Sequence, residues 1–124
     1  RQNNHQAKLN AAQAINASND SAFNPIYTPE NALVFSKGQK SLENLDEHET
    51  VVFHMLMTRL LASIDTTSYQ YRQGMYDVEV YEGTVKFYAQ FLSTPGGRAW
   101  FDANKDPFSA ETVAALEKAI DGGT

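Results

Sequence analysis

The chain has 124 residues, of which 42% are hydrophobic and 20% charged, and its net charge is −5 at pH 7. These values predict one folded domain over residues 1–124 and exclude a disordered tail. The lack of cysteine excludes disulfide scaffolds, zinc knuckles and thiol nucleophiles. No basic face is visible, so we expect no nucleic-acid partner. The sequence also has no run of about 18 apolar residues that would span a membrane.

The first predicted helix covers residues 3–19 and is rich in asparagine, glutamine and alanine. The polar run at 19–21 should end it, and its weak apolar face consists of Ala7, Ala11, Ala14, Ile15 and Ser18. Such a helix is marginal in water and needs a packing partner. Docking on its own domain and pairing with a second copy both satisfy this need. We expect the second, a homodimer through residues 3–19.

Two helices follow in the middle of the chain. Thr28 and Pro29 give the cap and first turn of a short helix, and Gly38 should end it. The dominant helix spans about residues 46–74. Its apolar stripe has helical spacing over about five turns: Phe53, Leu56, Met57, Leu60, Ile64, Ser68 and Tyr71. Between residues 51 and 61 this helix is apolar on most sides, which predicts a central helix packed on several faces.

Residues 77–92 fit two different structures. A hairpin around Glu82-Gly83 is compatible with the apolar residues on either side. A helix is equally compatible, because Val78, Tyr81 and Val85 begin one continuous stripe. Gly83 weakens a helix by about 1 kcal/mol relative to alanine. Two strands alone would be marginal and no third strand is evident, so we favour the helix.

The segment Ser93–Phe101 predicts a helix end followed by a new start. Thr94 caps the new helix and Pro95 occupies its first turn. Trp100, the sole tryptophan, should bury its ring against the long helix. Ser109 is expected to cap a last helix that ends at Gly122-Gly123. The complete prediction is an all-α, single-domain bundle of five or six helices around the helix at 46–74.

Several segments together resemble a bacterial family of unknown function. They are Arg1-Gln2-Asn3-Asn4, Tyr69-Gln70-Tyr71-Arg72-Gln73-Gly74, and Ser93 to Phe101 with the following Phe108-Ser109. Members of that family are small, all-helical proteins with one N-terminal transmembrane helix. The resemblance implies that a transmembrane helix precedes this domain and that residues 77–92 are helical. It implies no activity that can be carried over to this chain.

Metal, phosphate and hydrolase motifs are weak in this sequence. His48 and His54 are six residues apart, so they do not share a helix face as a His-Glu-x-x-His pair would. Gly96-Gly97 lacks the strand and the Gly-Lys-Ser/Thr ending of a phosphate loop. No serine lies in a Gly-x-Ser-x-Gly context. We therefore expect no cofactor, no metal ligand and no catalytic residue.

One group of residues is a candidate ligand or ion-pair cluster: Tyr69, Arg72, Glu82, Arg98 and Trp100. Arg72 complements the carboxyl end of the long helix and has acidic residues nearby in sequence. The structural interpretation is an ion pair that holds the next helix. The functional interpretation is a carboxylate or anion site that Arg72 shares with Arg98. The aromatic residues of the second half are expected to be core.

Two functions remain open from the sequence. The first is a non-catalytic binding or scaffolding domain of a single-pass bacterial inner-membrane protein. The second is a small-ligand sensor or enzyme with a polar pocket around Arg72 and Arg98. A roomy pocket containing both arginines would favour the second, and a filled core with an exposed apolar strip the first. Arg1 and Lys8 near the presumed membrane exit predict a cytoplasmic domain.

Overall fold

A computed structural model describes the chain from Gln2 to Gly122, with side chains from His5 onward. Within this range the chain forms six α-helices and no strand, which confirms the predicted all-α bundle. The helices are α1 (Gln2–Phe23), α2 (Pro29–Lys40), α3 (Glu47–Arg72), α4 (Val78–Leu92), α5 (Pro95–Asn104) and α6 (Ala110–Gly122). Arg1 and Gly123 lie outside the described residues. For Gln2, Asn3 and Asn4, the rest of the Arg1-Gln2-Asn3-Asn4 motif, the side chains are not described.

The long helix α3 organises the bundle. It begins with a capping box, in which Asp46 accepts from the backbone N–H of Glu49 while the Glu49 side chain accepts from that of Asp46. It ends before Gly74, whose φ of 84° lies in the left-handed region that glycine tolerates. Helices α1, α2, α4 and α6 all pack against it. The prediction of a long helix with neighbours on several faces is confirmed.

Hydrogen bonds show how the neighbouring helices run. Ser18 and Ser21 of α1 reach Ser63 and Arg59 of α3, so α1 runs antiparallel to α3. Helix α4 is also antiparallel to α3, since Tyr81 bonds Ser68 and Tyr88 bonds Ser63. The hairpin alternative for residues 77–92 is therefore excluded, and the helical prediction is confirmed.

Helix α1 is longer than the sequence predicted. The polar run at 19–21 does not end it, because Ala22 and Phe23 continue the helix and bury their side chains in the core. Ile15 is buried as well. The C-terminal half of α1 is thus docked on its own domain. Self-association through residues 3–19 stays a prediction.

The crossing of α2 and α5 corrects the prediction for Gly38. Helix α2 does not stop there but continues to Lys40. A Cβ on Gly38 would overlap the Phe53 ring, and one on Gly96 would overlap the Gly38 carbonyl oxygen. Both glycines allow close approach of helices, and neither is a cap. Thr94 fixes the crossing, because its hydroxyl donates to Gln39 and accepts from the backbone N–H of Gly97.

Trp100 packs as predicted. It is 4% exposed, and its indole N–H donates to Nδ1 of His54 on α3 at 3.1 Å. A void of only about 10 Å³ lies between α3 and α4. Each buried polar side-chain atom of the described residues has a hydrogen-bond partner. Of the helices described here, none is both long and apolar enough to cross a bilayer.

Candidate ligand-binding groove

An open groove lies along α4 and α6, with a volume of about 620 Å³. Alanines at positions 89, 115 and 119 are among its lining residues, and their side chains end at Cβ. The apolar lining residues are Tyr71, Val78, Tyr81, Val85, Ala89, Ala115 and Ala119. The remaining lining residues are Glu82, Lys86, Gln90, Ser93, Lys118 and Gly122.

Two stacked tyrosines form one end of the groove. The rings of Tyr71 and Tyr81 lie 4.1 Å apart with an angle of 5° between their planes. The Tyr81 hydroxyl donates to Oγ of Ser68 at 2.9 Å, and Arg72 donates to the same oxygen at 2.8 Å. Because Tyr81 is fixed from below by these bonds, this end of the groove is preorganised for an apolar or aromatic group.

The charged groups lie at the rim. Glu82 and Lys86 are one turn apart on α4, and Lys118 lies on α6. All three are exposed. The lining therefore carries two ammonium groups and one carboxylate in a chain whose net charge is −5. This arrangement can hold a ligand that has an apolar body and an anionic group.

The two arginines of the sequence-predicted cluster do not line this groove, and they have separate partners. Arg72 donates to Ser68 and lies 6.0 Å from the Tyr69 ring centre. Arg98 lies 3.4 Å from a carboxylate oxygen of Asp121 and 3.3 Å from one of Asp102. The hydrogen bond to Asp121 and the charge of Asp102 raise the pKa of Arg98. The described lining of the groove includes neither arginine.

The other three members of the cluster are also dispersed. Glu82 lines the groove. Tyr69 is 57% exposed, and Trp100 is buried beside His54. The described residues contain no group of three or more metal-ligating side chains. The five residues thus do not form one site, and Glu82 alone belongs to the groove.

Other polar clusters join helices. Ser109 and Thr112 at the start of α6 both donate to Oδ1 of Asp65 on α3, and Ser109 also caps α6 as predicted. The Tyr88 hydroxyl lies 2.8 Å from the Asn19 side-chain oxygen. Burial raises the pKa of Tyr88, which keeps its hydroxyl protonated as a donor. These groups are saturated with partners inside the bundle.

Sequence reasoning did not find the groove. The sequence signal for it is weak. It consists of alanines on one face of α4 and of α6, each with a lysine nearby, and α4 and α6 are not consecutive in the chain. Such alanines look the same in a closed interface and in an open one. Comparisons of the chain with protein-family models, with curated proteins and with solved structures gave no match.

Proposed function

We propose that this protein is a non-catalytic binding domain and that the groove between α4 and α6 is its binding surface. The observation that carries the proposal is about 620 Å³ of open space over an apolar floor. Ligand sites in proteins commonly have volumes of about 300–1,000 Å³.

The lining indicates the chemistry of the ligand. Val85, Ala89 and Ala119 offer an apolar floor, and the Tyr71–Tyr81 stack offers an aromatic wall. Lys86 and Lys118 reach the rim from opposite helices. A ligand with an apolar body and a carboxylate or other anion satisfies both features. A short apolar segment of a protein partner with an acidic residue belongs to this class.

The alternative, a sensor or enzyme built around Arg72 and Arg98, has less support. Each guanidinium has its own partners, Ser68 for Arg72 and two carboxylates for Arg98. This alternative would be favoured if Arg72→Gln or Arg98→Gln abolished binding of an anionic ligand while substitutions of the groove residues did not.

An anionic aromatic dye, 1-anilinonaphthalene-8-sulfonate, is a suitable probe of the groove. In a titration followed by amide NMR we expect shifts at Val85, Ala89 and Ala115. Ala119→Trp fills the groove and should abolish these shifts. The matched control is Ala114→Trp, since Ala114 is an exposed residue of α6 that does not line the groove. Shifts that persist in Ala119→Trp would contradict the proposal.

We also propose that the domain belongs to the cytoplasmic side of a single-pass bacterial inner-membrane protein. The family resemblance and the positive charges of Arg1 and Lys8 support this topology. A C-terminal alkaline-phosphatase fusion to the full-length protein should be inactive. Activity of the fusion in the periplasm would reverse the topology and leave the groove proposal intact.

A further inference from the structure

The outward face of α3 is an unusual surface for a long solvent-facing helix, because it carries no charge. We call it the α3 strip: Val51, Met55, Thr58, Ala62, Thr66 and Tyr69. Steps of three or four residues place these side chains on one side of the helix. Its three large residues are well exposed, Val51 at 55%, Met55 at 65% and Tyr69 at 57%. The apolar segment at 51–61 is therefore packed on several faces but not on this one.

Helices on both sides leave the α3 strip open. On one side Arg59 is held by the backbone carbonyl of Ser21 in α1, at 2.8 Å and 3.1 Å. On the other side Asp65 accepts from Ser109 and Thr112 at the start of α6. Arg59 and Asp65, which border the middle of the strip, thus have partners within the domain. The strip between them can meet a partner without separating either pair.

We propose that the α3 strip binds the same strip of a second copy, in an antiparallel pair of helices around a twofold axis near residue 60. Glu47 is the first residue of α3 and Arg72 is the last, and both are exposed. An antiparallel pair places Glu47 of each copy beside Arg72 of the other. A parallel pair would place like charges together at both ends.

Side-chain sizes fit the same register. Around an axis near residue 60, Val51 lies opposite Tyr69 and Thr58 lies opposite Ala62. Small residues in the middle permit the helices to approach closely, while large residues fill the two ends. A parallel pair would stack Met55 on Met55 and Tyr69 on Tyr69. Val51, Thr58, Ala62 and Tyr69 therefore match one another in the antiparallel orientation.

This pairing leaves the proposed groove free. Tyr69 and Tyr71 are two residues apart, so they point about 200° apart around the helix. Tyr71 faces the groove, whereas Tyr69 is exposed on the strip. The interface also differs from the one expected at residues 3–19. The two self-association surfaces can therefore be separated by mutation.

Disulfide trapping tests the orientation directly, because the natural chain has no cysteine. Val51→Cys and Tyr69→Cys are made in separate chains with different tags and are mixed under mild oxidation. Antiparallel pairing predicts mainly mixed disulfides between the two chains. Mainly like-with-like disulfides would overturn the antiparallel register, and an absence of crosslinks at high concentration would overturn the interface.

Sedimentation equilibrium from tens to hundreds of micromolar protein tests the surface without cysteine. Ala62→Glu places two charges in the middle of the pair and should weaken the dimer at least about tenfold. The matched control is Ala14→Glu, an exposed alanine on α1. If Ala14→Glu abolishes the dimer and Ala62→Glu does not, self-association occurs through residues 3–19 and the present proposal is wrong. A monomeric wild type over the whole range also overturns it.

A charge exchange provides the last check. Glu47→Arg and Arg72→Glu should each weaken the dimer by about two- to tenfold, in keeping with exposed ion pairs. The double variant restores both pairs in the antiparallel dimer and should return to the wild-type dissociation constant. A double variant as weak as the single ones would contradict the register.

Discussion

The α2–α5 crossing and the α4–α6 groove both place small residues where two helices meet, yet the first is closed and the second is open. At the crossing, the Phe53 ring of α3 sits against Gly38, and the Gly38 carbonyl touches the backbone of Gly96. At the groove, Ala115 and Ala119 are half-buried and border an open cleft, while Ala89 is buried at its floor. Small residues at a helix contact are thus compatible with a closed interface and with an open one.

The largest expected effect on the closed side is that of Trp100→Ala. Removing a large buried side chain leaves a cavity, which should cost about 3–5 kcal/mol of the free energy of unfolding. Trp100→Phe keeps most of the ring but loses the bond to His54, so its cost should be smaller. Chemical denaturation of the three proteins gives both values. A midpoint for the alanine variant within error of wild type would show that the crossing does not depend on Trp100.

Gly96→Ala tests the crossing itself. The new methyl group would overlap the Gly38 carbonyl oxygen, so the backbones must separate. We expect a loss of about 1–3 kcal/mol or more. A variant as stable as wild type would mean that α2 and α5 have room to move, and the contrast with the groove would disappear.

Gly83→Ala is the matched change on the open side. Gly83 also lies inside a helix, but a Cβ there meets nothing within 4 Å. Alanine costs less backbone entropy than glycine in a helix, so this variant should gain about 0.5–1 kcal/mol. The same denaturation assay measures it. If Gly96→Ala and Gly83→Ala lose stability equally, close packing around Gly96 does not explain the cost of its substitution.

Acid pH should weaken the closed side through Glu49. A hydrogen bond from Lys37, followed by one from the backbone N–H of Asp46, lowers the pKa of Glu49 in the folded state. Its contribution is therefore present above the ordinary pKa of glutamate, 4.5, and is lost as pH falls through the lowered folded pKa. Between about pH 6 and about pH 3, the unfolding midpoint of Glu49→Gln should change less than that of the wild type. If the midpoints of Glu49→Gln and the wild type change equally with pH, Glu49 does not cause the loss of stability in acid.

Ala119→Leu should have the smallest effect on stability. Three added carbon atoms enter open space, so the unfolding free energy should stay within about 0.5 kcal/mol of wild type. Dye binding to the groove should nevertheless weaken, because leucine occupies part of its volume. Thermal denaturation and a fluorescence titration measure the two properties on one sample. A large loss of stability would show that the groove closes in solution.

Much of the fold was predictable because its signals are local. Caps at Thr28, Thr94 and Ser109 identified three helix starts by the N–H groups that each side chain can satisfy. Gly74 marked the end of α3. Gly38 was misread because the same residue type serves a helix end and a close approach. Distinguishing them requires the position of Phe53, which lies on another helix.

The site was less predictable. Arg72 and Arg98 resemble a shared anion site in sequence because both are cations near aromatic residues. Their separation depends on Ser68, Asp102 and Asp121, whose positions follow from how α3, α5 and α6 pack. Only the first half of the charge-free α3 strip lies in the apolar segment at 51–61, which the sequence predicted to be packed on several faces. Which faces a long helix buries depends on how many helices surround it.

By itself the sequence determined that this chain is an all-helical domain, where most of its helices begin, and that Trp100 is core. These properties follow from hydrogen bonding and hydrophobic spacing within a few turns of chain. Tertiary structure alone decided that α2 and α5 touch through two glycines, that α4 and α6 enclose a groove, and that one face of α3 stays bare. Each of these depends on distances between side chains far apart in sequence, and no local pattern encodes those distances.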